Sequence, residues 1–153
     1  MFNFFKKKLY EEFDNPVSEE IEVDQSKRIQ LATCALFLEV ANSDDDFAEE
    51  EKTFIINHMK QAFSLDDELV KELISESKAE VEESISLYEF TKILNDNFSR
   101  EEKFNIVKNL WKLVFADGRL DKYEEYFVRK ISNNLNLSHS EMIAAKFDAK
   151  KEI

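Results

Sequence analysis

The chain has one glycine and one proline in 153 residues. Glycine and proline are the residues that most readily stop a helix or shape a tight turn. A chain almost without them has few means of building hairpins or β-sandwich turns. It therefore points to long helices joined by polar caps. The single glycine stands in VFADGRLDKYEE, among acids.

The polar residues supply the missing punctuation. Ser or Asp followed three residues later by an acid is the capping-box pattern, in which the first side chain and the later acid satisfy amides that the first helical turn leaves unpaired. Ser99 with Glu102, Ser86 with Glu89, Asp121 with Glu124 and Ser138 with Glu141 all fit, and Ser64 with Asp67 is a weaker case. Two further helices are read over about 24–42 and 47–63. No run alternates as a strand would. The expected fold is all-α: a single compact bundle of about seven helices with an internal pseudo-two-fold repeat. The acidic stretch 15–24, with Pro16, reads as a linker. The division expected is thus residues 1–23, an amphipathic segment and linker, and 24–153, the helical domain.

Two segments are apolar nearly all round, LATCALFLEVA and IVKNLWKLVFA. Helices of that kind sit at the centre of a bundle. Leu36, Val40, Leu110, Trp111 and Val114 are the expected core. Cys34 lies in the first of these segments, where a buried inert thiol is expected. A lone cysteine forms no intrachain disulfide, which suits a reducing compartment. The longest apolar stretch, 31–41, is short of the ~20 residues needed to cross a bilayer. The N-terminal lysines are not followed by the apolar core of a secretory signal. A cytoplasmic protein is expected.

Composition also excludes much chemistry. One glycine rules out the dinucleotide fingerprint, the P-loop and the nucleophile elbow together. His58 and His139 stand far apart, with no HExxH, and there is no Cys-x-x-Cys. The net charge of -12 argues against phosphate-contacting nucleic-acid binding. It favours cations or basic protein surfaces. No enzyme is expected, no catalytic residue is nominated, and an unidentified protein partner is. In MFNFFKKKLYEEF, Phe2, Phe5, Leu9 and Phe13 share a helical face. Residues 1–14 could therefore make peripheral membrane contact or pack on their own domain.

The two apolar segments each lead into an acidic turn and another helix. LFLEVANSDDDFAEEEKTFI lies over NLWKLVFADGRLDKYEEYFV, placing Asp44 on Asp117, Phe47 on Leu120, Glu51 on Glu124 and Phe54 on Phe127. After a one-residue slip, Met59, Phe63 and Leu65 fall on Ile131, Leu135 and Leu137. Gly118 occupies the turn position where Asp45 stands in the first copy. A left-handed residue there favours glycine, then Asn or Asp. The acids themselves have a plainer reading as caps: Asp121 with Glu124, and Asp46 with Glu49. Neither turn has the EF-hand pattern.

FADGRLDKYEE followed by FVRKISNNLNLSHSE resembles the signature of the TerB family of tellurite-resistance proteins, related to the N-terminal domain of the DjlA type of co-chaperone. Ala116, Asp117, Gly118, Leu120, Asp121 and Glu124 match it, and Asp44, Phe47 and Glu51 match in the first copy. The resemblance spans about residues 25–145. It implies an all-α domain with no established catalysis, associated with stress resistance and membrane-associated complexes. It also implies that Asp44, Glu51, Asp117 and Glu124 bind a divalent metal such as Ca, Mg or Mn. The first copy departs from the pattern, having Asn42 and Ser43 before Asp44, and Asp45 for Gly. The runner-up is a metal-free scaffold docking a basic partner or a membrane-associated complex.

Overall fold

A computed structural model describes residues 16–41, 48–83, 86–116, 118 and 122–153, with side chains from Gln25 onward. Seven helices are present among them: α1 Pro16–Ala41, α2 Glu49–Phe63, α3 Asp67–Glu82, α4 Leu87–Asn97, α5 Arg100–Phe115, α6 Lys122–Asn134 and α7 His139–Lys151. No strand occurs among the described residues. The all-α expectation holds.

The local caps explain most helix starts. Ser99 Oγ accepts from the Glu102 amide, and the Glu102 carboxylate accepts from the Ser99 amide. Ser138 and Glu141 make the same reciprocal pair. Ser86 accepts from the Glu89 amide at the head of α4. Two expectations need correcting. Residues 16–23, read as a linker, form the first turns of α1. Proline is well suited to the first helical position, where its missing N–H would have had no partner, and acids in the turns that follow favour the positive end of a helix. Ser64 does not open α3. Asp66 does, accepting from the Leu69 amide. Ser64 instead closes α2 in a left-handed conformation, φ 55°.

That closure recurs. Asn136 after α6 also has a positive φ, 62°. The Leu65 amide donates to the Lys60 carbonyl and the Leu137 amide to the Ser132 carbonyl, both at 3.1 Å. These are the long bonds of the Schellman motif, which satisfies carbonyls at a helix end. They relate Leu65 to Leu137, as the slipped alignment expects.

The centre is α1 and α5. From Ala32 to Leu38 every residue of α1 is buried, so this helix is enclosed on all sides. It packs on α2, α3, α4, α5 and α6. On α5, Ile106, Leu110, Trp111, Leu113 and Val114 are buried. All five residues expected in the core are buried, Leu36 and Val40 on α1 and Leu110, Trp111 and Val114 on α5. The Thr33 hydroxyl, at 0 % exposure, donates back to the Ile29 carbonyl. α3 packs chiefly on α1, and α7 chiefly on α5. The molecule therefore consists of α1–α2–α3 and α5–α6–α7, with α4 between them in sequence and laid against α1 and α6. The halves also cross over, α1 touching α6 and α5 touching α2.

Candidate functional site

The acidic turns lie where α1 leads into α2 and α5 into α6. Asp44, Phe47, Asp117, Leu120 and Asp121 fall outside the described residues, as does Asp45. Gly118 is described, and its φ is +75°. The Gly118 amide donates to the Phe115 carbonyl at 3.0 Å, so the chain reverses as α5 ends. Among the described residues a Cβ built at Gly118 would meet nothing within 4 Å. The glycine suits this backbone conformation, and no described atom crowds it.

Glu51 and Glu124 occupy the third helical position of α2 and α6, and each is 1 % exposed. Below them, Ile55 and Val128 are buried one turn on, and Met59 and Ile131 continue the row into the core. The two glutamates thus hold equivalent places in the repeat. Glu141, in the same register on α7, keeps a side chain 26 % exposed. Arg100 binds it through two contacts and, with the Ser138 amide, holds its carboxyl down to about 2.

The capping alternative divides. On α2 the cap position is Ala48, which makes no side-chain cap, and Glu49 is already the first helical residue. Asp46, the proposed partner of Glu49, lies outside the described residues. On α6 the register would place Asp121 at the cap and Glu124 three residues later. Among the described residues no group of three or more His, Cys, Asp or Glu side chains is arranged to hold a metal ion. Of the four nominated ligands, the structure places Glu51 and Glu124, in separate helices.

A second feature was not visible in the sequence. Between α2 and α5 lies an open cleft of about 360 Å³, lined by Thr53, Phe54, Asn57, His58, Asn109 and Lys112 among others. His58 lies against the Phe37 ring at 5.0 Å and stacks with Phe54 at 5.8 Å. Burial pushes its pKa down to about 4, and the nearby Lys112 charge adds to the effect. Among the described residues its Nε2 has no hydrogen-bond partner. Lys112 itself binds Glu152 at 2.5 Å. The repeat places Glu39 opposite Lys112, and the relation is visible here too. Glu39 on α1 is raised by burial, with Lys130 of α6 acting against the rise. Each central helix thus faces a charged or titratable group on the second helix of the other half. The only sequence clue to His58 was its place four residues after Phe54.

Cys34 is fully buried. Desolvation pushes its thiol up to about 11, with a Ser77 hydrogen bond opposing. It stays protonated at neutral pH and is no nucleophile. No helix among the described residues is long and apolar enough to cross a membrane.

An all-helical bundle built from two related halves, each carrying a buried glutamate in the first turn after a central helix, is the class these features define. The family model described as Tellurite resistance protein TerB matches residues 30–147, both halves of the repeat included, and the chain belongs to that family. No curated protein and no solved structure matches it.

Proposed function

We propose that this chain is a non-enzymatic, stress-related binding module in which each acidic turn holds a hard divalent cation. Asp44 with Glu51 would supply one pair of carboxylates, and Asp117 with Glu124 the other. The observation that supports the reading is the burial of Glu51 and Glu124 to 1 % at equivalent positions. A charged carboxylate is costly to bury without compensation. The helix N-terminus provides part of that compensation through its dipole. A cation held between Glu and the acid of the preceding turn would provide more. Carboxylate oxygens are the ligands that Ca, Mg and Mn prefer. The acids named would orient and neutralise such an ion, and no reaction is assigned to it.

The test is thermal or chemical unfolding with added calcium, magnesium or manganese. An ion that binds only the folded state should add about 2.7 kcal/mol at a hundredfold excess over its dissociation constant. Asp117→Asn with Glu124→Gln should remove the gain from one turn, and Asp44→Asn with Glu51→Gln from the other. The second turn should bind more tightly, since Gly118 already adopts the positive φ that a non-glycine residue resists. Melting curves indifferent to all three ions at millimolar concentration would refute the cation reading. They would leave the metal-free scaffold, docking a basic partner, in its place.

A further inference from the structure

The molecule carries two charged helix faces of opposite sign. Every exposed charged side chain on α6 and α7 is basic: Lys122, Arg129, Lys130, Lys150 and Lys151. The acids of these two helices are buried or half-buried. In a chain of net charge -12 that is a local inversion. On α6 the face turned away from Glu124, Val128 and Ile131 presents Tyr123, Tyr126 and Lys130 at helical spacing. The two tyrosines are 64 % and 58 % exposed. Tyr and Arg are the residue types that most often carry binding energy at protein interfaces, and exposed Lys alone is not.

α3 has the reverse character. Its exposed charges are Asp67, Glu68, Glu72, Glu76 and Glu82 against Lys71 and Lys78. The face opposite Val70 and Leu73 is a stripe of glutamates. α3 packs on α1 and α2, whereas α6 packs on α1, α4, α5 and α7. Among the described residues no ion pair joins α3 to α6. Glu76 meets Lys27, Asp67 meets Lys60, Arg129 meets Glu125 on its own helix, and Lys130 acts on Glu39 of α1. Among the described residues the opposite stripes do not pair with each other, and Glu68 and Glu72 of α3 stay exposed.

We propose that the Tyr123–Tyr126–Lys130 face of α6 docks the acidic face of α3 from a second copy of this chain. A second copy is chosen because its α3 offers the complementary charge on a helix of comparable length, 16 residues against 13 for α6. Because the two faces differ, the contact is head-to-tail. It leaves a free α6 at one end and a free α3 at the other, so growth continues past the dimer unless a ring closes. The attraction is between exposed charges, so salt weakens it.

Sedimentation velocity of the full chain, with EDTA present to prevent bridging by divalent ions, tests this. At about 50 mM salt the weight-average sedimentation coefficient should rise with protein concentration, and at about 500 mM it should not. The double reversal Arg129→Glu with Lys130→Glu makes both faces acidic, and Glu72→Lys with Glu76→Lys makes both basic. Each variant alone should stay monomeric. An equimolar mixture of the two should associate again, because every acidic face then meets a basic one. Circular dichroism checks that both remain folded. If either does not, Tyr126→Ser at its exposed position should weaken association on its own. A wild type that stays monomeric at low salt overturns the proposal. So does association that survives either reversal, or a mixture that fails to restore it. A monomer that instead sediments with anionic vesicles overturns it in favour of a membrane surface.

Discussion

His58 should make this protein lose stability as the pH falls from neutral toward 5. The ring packs against Phe37 and Phe54 at the edge of the cleft, and burial holds its folded pKa at about 4 against an ordinary value of 6.5. Above pH 6.5 the imidazole is neutral in both states, and its full contribution to stability is present. As the pH falls below that value, the unfolded chain takes up a proton that the folded chain refuses. Stability then declines until the folded pKa of about 4 is reached. At pH 5 the unfolded histidine is protonated by about 1.5 units' worth of binding, and the folded one hardly at all. At 1.36 kcal/mol per unit, the loss between about pH 7.5 and 5 is about 2 kcal/mol. Other groups titrate nearby. Glu39 and Glu80 are raised by burial, so their folded forms gain relative stability as pH falls through the raised pKa, opposing His58. Glu141, held to about 2, and the depressed Asp67 and Glu152 lose their contributions only as pH falls below the ordinary carboxylate range. The clean measurement is therefore a difference. His58→Phe keeps an aromatic ring against Phe37 and Phe54 and removes the proton. Urea unfolding of wild type and variant at several pH values gives two stability curves. They should diverge by about 2 kcal/mol over this range, in favour of the variant at low pH. Parallel curves would refute the desolvation of the His58 imidazole.

Three further outcomes follow from single residues. Trp111→Ala should cost about 3–5 kcal/mol, because the ring is fully buried and stacked on Phe115; a loss under about 1 kcal/mol would misplace the core. Gly118→Val should cost about 1–2 kcal/mol from backbone strain, since its φ is positive and no described atom meets an added Cβ, whereas Asp45→Gly should cost less; equal melting shifts would remove the case for the left-handed turn. Ala48→Ser should stabilise by about 1 kcal/mol, because Ala48 is a cap position without a side-chain cap; urea unfolding that shows no gain would mean the α2 amides already have other partners.

Helix starts at Ser86, Ser99 and Ser138 were legible because a cap is a hydrogen bond between residues three apart, and the sequence holds both partners. The same locality made Gly118 readable: a positive φ is a property of one residue. The apolar belts of α1 and α5 announced a buried pair by composition, and the repeat announced itself by matching acids and apolar residues. Local patterns misled where two fitted the same stretch. Ser64 could open α3 or close α2, and the chain uses it to close α2, leaving Asp66 to cap α3. Pro16 could end a linker or begin a helix, and it begins one.

Tertiary structure alone decided which acids leave water. Glu49, Glu50 and Glu51 are one residue type in a row, yet only Glu51 is buried, because helix rotation turns that position toward the core. It decided that His58 lies against two rings, one of them Phe37 on the preceding helix, α1. It also set a basic, tyrosine-bearing α6 and an acidic α3 on separate parts of one surface. Caps and turn angles depend on neighbours within a few residues, so a sequence can declare them. Burial and the field at a side chain depend on groups brought together from distant parts of the chain, and only packing determines which groups those are.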